Sequence, residues 1–123
     1  MKYLKVLIML TLCLTACTSK NKVNEIYMNF NKMDNFIAIE EEYINEVVNI
    51  VENEYIIPQE PEKDIDEFKD MDILFIKYSM DNKDYAITIY ENGYGYIAED
   101  DKVSYVKYNE NTFNKLLKFI NSK

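Results

Sequence analysis

The sequence predicts an α+β domain: a four-stranded antiparallel meander with an N-terminal strand pair, one long helix and a short C-terminal helix. Three observations predict it. From Ile73 to Tyr108 apolar and polar residues alternate with a period of two around short acidic turns. Tyr43, Ile44, Val47, Val48, Val51 and Tyr55 instead fall at helical spacing. Near the C-terminus, Phe113, Leu116, Leu117 and Ile120 form a second helical stripe.

In chain order, residues 25–30 and 36–39 read as short strands around a turn at 31–35. The helix begins at Glu40, and Glu40, Glu41 and Glu42 place negative charge in its first turn, where the helix dipole favours it. It is expected to run to Ile57, because Pro58 disfavours a helical residue before it and Pro61 repeats the break. Residues 59–72 form an acidic connection with a helical turn at 65–68.

The strongest local signal is Glu91-Asn92-Gly93-Tyr94, since Asn-Gly suits the positive φ angles of a type I′ hairpin turn. A two-residue loop there sets Ile89 opposite Tyr96 and Ile87 opposite Ala98. A loop at Asn82-Lys83 pairs Met80 with Tyr85, Tyr78 with Ile87 and Ile76 with Ile89, and a loop at Asp100-Asp101 adds Val103 and Tyr105. One face then carries Leu74, Ile76, Tyr78, Tyr85, Ile87, Ile89 and Tyr96. A slip of one residue would reverse every side chain beyond it. Asn109 is placed to cap the C-terminal helix.

The opposite face would carry Ile73, Phe75, Thr88, Tyr90, Ile97, Val106 and Tyr108, interrupted by Lys77, Ser79 and Ser104, with Tyr90 across from Gly95. This is more apolar than a solvated sheet. Either a helix or the N-terminal strands cover it, or Phe75, Tyr90, Ile97 and Tyr108 remain exposed as a partner-binding face.

At the N-terminus, Lys2 and Lys5 precede an uncharged run of eleven residues, 6–16. A spanning helix needs about 20 apolar residues, so the run suits the h-region of a signal peptide. Leu14-Thr15-Ala16-Cys17 resembles the lipobox of bacterial lipoproteins at all four positions. The resemblance implies cleavage after Ala16 and a diacylglyceryl thioether on Cys17. Two acyl chains anchor durably where one is marginal. The expected organisation is therefore a signal peptide at 1–16, a lipidated cysteine and tether at 17–24 and one domain at 25–123. The implied location is the outer face of the cell membrane.

Loss of Lys2 and Lys5 leaves 12 Lys against 22 Asp and Glu and moves the formal charge from -8 to -10. So acidic a chain lacks the basic patch that nucleic acid requires. Cys13 departs with the signal and Cys17 is consumed, so no thiol remains. The chain has no His, which leaves acid–base work to carboxylates, Lys or Tyr. A Ser79–Lys77 dyad needs a buried lysine, and carboxylate pairs arise by chance among 22 acids. Residues 81–84 and 99–101 read as solvated turns rather than metal loops. Gly93 and Gly95 are the only glycines, which excludes phosphate-cradling loops. No catalytic residue, metal or cofactor is expected.

The order of elements from residue 24 onward, together with the lipobox, resembles small uncharacterised lipoproteins of low-GC Gram-positive bacteria, including the YhfM-like domain. The resemblance implies location and fold and no known activity. The expected function is a non-catalytic binding or interaction module of the cell envelope, with a basic protein or a cell-wall component as partner. The alternatives are an immunity or inhibitor lipoprotein against a basic envelope enzyme or toxin, and a carboxylate-dependent wall hydrolase. Replacing Cys17 by Ala is expected to abolish both acyl labelling and processing; labelling that survives the substitution refutes the anchor.

Overall fold

The computed structural model describes residues 23–121. The expected signal peptide, the lipobox-like stretch at 14–17 and Cys17, the expected lipidation site, lie outside them. The fold is α+β, but its sheet is larger than the expected four-stranded meander. Seven strands form one antiparallel sheet in the order β2-β1-β4-β5-β6-β7-β3. They are β1 (Ile26–Phe30), β2 (Ile37–Ala38), β3 (Tyr55–Ile56), β4 (Ile73–Met80), β5 (Lys83–Tyr90), β6 (Tyr94–Glu99) and β7 (Lys102–Tyr108).

The expected meander is the centre of this sheet. The N-terminal pair does not stand apart, because β1 aligns with β4 from Ile26↔Tyr78 to Phe30↔Leu74 and satisfies its backbone there. Val23, expected in the tether, is 5% exposed and belongs to the core.

The expected long helix is also divided. A 3-10 turn at Glu41–Tyr43 leads into α1 (Ile44–Asn53), and the chain then leaves the helix at Glu54. Tyr55 and Ile56 pair with Tyr108 and Lys107 as β3. Helical spacing alone cannot see this exit, since the unpaired end of β7 offers Tyr55 a backbone partner far away in sequence. Pro58 then holds the chain extended. Beyond β3 the outer edge of β7 has no partner strand among the described residues, and Val103 there is 63% exposed. The final helix, α2, spans Glu110–Asn121, with Asn109 Oδ1 accepting the Asn111 N–H at 3.0 Å.

Three turns set the register. Asp81 and Asn82, with φ of 54° and 63°, form the first two-residue loop, so Met80 faces Lys83. The expected loop lay one residue later, which moves each partner by two and keeps Leu74, Ile76, Tyr78, Tyr85, Ile87 and Ile89 on one face. The central turn differs in kind. It has three residues, 91–93, in which only Gly93 has positive φ, 95°. Gly93 N–H donates to Tyr90 O at 2.8 Å, and Asn92 Oδ1 accepts the Tyr94 N–H at 3.1 Å. Asn-Gly here closes a turn ending in a left-handed glycine rather than a two-residue loop.

Ile89 therefore faces Gly95, and Ile87 faces Ile97. The odd residue reverses β6 and β7 relative to the expected register. Ile97, Val106 and Tyr108 join the first face, while Tyr96, Val103 and Tyr105 move to the second. The last turn has two residues, as expected, with Glu99 facing Lys102.

Both helices pack on the first face. Val47, Ile50 and Val51 of α1 and Phe113, Leu116 and Ile120 of α2 bury against Ile26, Met28, Leu74, Ile76, Ile87, Ile89 and Val106. Each such side chain contributes roughly 1.5–3 kcal/mol of burial. Tyr108 donates its hydroxyl to Val51 O, and Tyr78 donates to Glu52 Oε1 at 3.0 Å, so both ring tips under α1 are satisfied.

Gly95 admits no side chain, because a Cβ there would lie 2.0 Å from Thr88 O. Gly95→Ala is expected to cost about 2 kcal/mol or more by forcing β5 and β6 apart. The check is urea unfolding; a midpoint equal to that of the parent protein contradicts this packing.

Candidate functional site

The second face of the sheet is covered over one half only, by neither a helix nor the N-terminal strands. Residues 59–72 cross it as a strap. Pro58 and Pro61 keep the start of the strap extended. The 3-10 turn Ile65–Phe68, capped by Asp64 on the Asp66 N–H at 3.1 Å, delivers Phe68 to the sheet. Phe68 is 1% exposed and stacks on Tyr90 at 4.5 Å and Tyr94 at 6.1 Å. Met71, Ile73, Tyr96 and Tyr105 complete this smaller core.

Polar contacts fasten the strap. Tyr94 donates to Glu60 Oε1 and Tyr96 to Glu62 Oε1, each at 2.5 Å, and the Lys63 N–H donates to Tyr105 Oη at 3.4 Å. The Lys63 and Lys107 ammonium groups lie 5.3 and 4.9 Å from the centre of the Tyr94 ring. The Glu60 bond, then burial, push the Tyr94 hydroxyl up to about 12. The same bond holds the Glu60 carboxyl below its usual range. Burial first, then the Glu62 bond, raise Tyr96.

The four residues expected to form a partner-binding face do not come together. Tyr90 is buried beneath Phe68, and Phe75 is half-buried on the same face. Tyr108 lies on the opposite face, 1% exposed beneath α1. Ile97 also lies there, lining a cleft of about 320 Å³ with Glu52, Tyr55, Tyr78 and Tyr85.

The uncovered half of the second face holds a larger trough of about 520 Å³. Its floor follows from the register. Tyr27, Lys77, Ala86 and Ala98 are direct partners in one row across β1, β4, β5 and β6. The methyl groups of Ala86 and Ala98 leave a depression between the strap-covered half and the hairpin ends. Asn24, Glu25, Ser79, Asp84 and Asp100 line the end where the described chain begins.

These walls are mutually braced. Tyr27 donates to Glu25 Oε2 at 2.6 Å, Ser79 Oγ donates to Asp84 Oδ1 at 2.7 Å, and the Asp84 N–H donates to Asp100 Oδ1 at 2.9 Å. Lys77 Nζ stands 4.1 Å from the centre of the Phe36 ring and 5.8 Å from that of Tyr27. Ser79 and Lys77, neighbours on this face, are thus engaged elsewhere, with Asp84 and with Phe36. Among the described residues no three His, Cys, Asp or Glu side chains gather as a metal-binding group. The arrangement offers an apolar strip, a carboxylate rim and one ammonium group, which suit binding. Two alanines in a strand pattern carry no chemical signal, so the floor could be found only by placing them in register.

No family model, curated protein or solved structure matches this chain.

The tyrosine–carboxylate clasp sets a pH dependence. Tyr94, raised in the fold, keeps a proton that the unfolded chain releases above its ordinary value of 10.0, so its contribution is complete below that pH and is lost as pH rises toward about 12. Glu60, lowered in the fold, contributes above the ordinary carboxylate value of 4.5 and loses that contribution as pH falls through its depressed value. Tyr94→Phe is expected to lower the unfolding midpoint near neutral pH and to reduce its decline above about pH 10. Parallel midpoint curves for the two proteins would show that the clasp contributes nothing.

Proposed function

We propose that this chain is an exported, lipid-anchored, non-catalytic binding module of the cell envelope, held at the outer face of the cell membrane by Cys17 and holding its partner in the trough over Ala86 and Ala98. The trough carries the proposal, because one half of the sheet face is sealed by a strap while the other half keeps a walled depression with an apolar floor. Such a concavity, lined by a few fixed polar groups, is the usual form of a binding site. The lipobox and its apolar leader support the anchor. Among the described residues no helix is long and apolar enough to cross a membrane.

The test uses the processed protein extracted from membranes in detergent, beside an Ala98→Leu variant. Leucine fits a strand and fills the trough without altering charge or register. Envelope material retained stoichiometrically by the parent and lost by the equally stable variant is the expected result. Equal retention by both proteins removes the trough from the function.

A further inference from the structure

The trough has a length, a charge and a place relative to the proposed anchor, and together they describe its occupant. Its floor row crosses four adjacent strands, from Tyr27 on β1 to Ala98 on β6. Three inter-strand steps of roughly 4.8 Å make about 14 Å. An extended peptide advances about 3.3 Å per residue, so about four residues fill that length.

The rim charge is unequal. Glu25, Asp84 and Asp100 stand along one end against the single ammonium of Lys77, which is drawn onto the Phe36 ring. The alanine floor accepts small or aliphatic side chains, whereas the rim accepts cations. Asn24 and Glu25 of this rim immediately follow the first described residue, and Cys17 lies six residues before Val23. A chain of that length reaches about 20 Å at most.

We infer that the trough binds an extended, cationic peptide segment at the membrane surface, in which basic residues alternate with small apolar ones. This rests on the binding-module reading and on the anchor proposed for Cys17.

The probe is a fluorescent synthetic peptide of about ten residues alternating lysine and alanine, with a glutamate–alanine peptide as its counterpart. Binding to the full-length protein in detergent is read by anisotropy across a range of salt. The lysine peptide is expected to bind with an affinity that falls as salt rises, and the glutamate peptide not to bind. The triple variant Glu25→Gln, Asp84→Asn, Asp100→Asn keeps the hydrogen-bonding oxygens and is expected to weaken binding about tenfold. A charge-matched control, Glu41→Gln, Glu42→Gln, Glu110→Gln, removes three exposed carboxylates that do not line the trough and should change affinity less than about twofold.

Equal weakening by both triple variants overturns the inference, since bulk charge would then explain the binding. No binding of the lysine peptide, with a cell-wall fragment or a second copy of the chain occupying the trough instead, overturns it as well. Failure of Cys17 acylation would end the anchor reading without changing these affinities. Loss of peptide selectivity would leave both the acylation and the capture results standing.

Discussion

Gly93 fixes the arrangement of the whole sheet. Its N–H closes the central turn on Tyr90 O, and its own carbonyl accepts the Tyr108 N–H at 2.8 Å, so one residue joins the β5–β6 turn to the end of β7. Its φ of 95° is open to glycine and costly for other residues. A Cβ at this position would also lie 2.3 Å from Tyr108 O. The three-residue turn that results determines which side chains of β6 and β7 face the helices. With one residue fewer, Ile97, Val106 and Tyr108 would leave the main core, Tyr96 would lose the Glu62 carboxylate that accepts its hydroxyl, and Tyr105 would lose the Lys63 N–H that donates to it. Both cores and the trough depend on this parity.

The strap shows how an acidic segment can hold a sheet face. Residues 59–72 carry Glu60 and Glu62 at the spacing that meets Tyr94 and Tyr96, two residues apart on β6. Alternate residues of an extended segment and of a strand advance by nearly the same length. Phe68 then adds the apolar contact that the carboxylates cannot supply. Exposed ion pairs such as Lys63–Glu67 at 3.9 Å add little beside this.

Much of the first face was legible in the sequence, and the reason is physical. An error of one residue in placing the Asp81–Asn82 loop shifts partners by two, so the alternation in β4 and β5 survives it. The central turn allowed no such tolerance, since Asn-Gly serves equally well in a two-residue loop and before a left-handed glycine. β3 was hidden because Tyr55 continues the helical spacing of Val48 and Val51 and is claimed by β7 only in three dimensions. The aromatic residues drew attention to the wrong surface: Tyr90 is large and apolar because Phe68, 22 residues upstream, covers it. The trough was silent in the sequence because its floor consists of what is missing from Ala86 and Ala98.

The short third strand leaves a further consequence at the sheet margin. β3 shields only Lys107 and Tyr108, so the rest of β7 presents backbone groups and the exposed Val103 at an open edge. Lys102 and Lys107 bracket that edge within a chain that is otherwise strongly acidic. Two copies meeting edge to edge would bring these ammonium groups together, and the repulsion would act before any backbone ladder could form. The two lysines therefore oppose edge-to-edge association of β7, while the acidic remainder of the molecule disfavours association elsewhere.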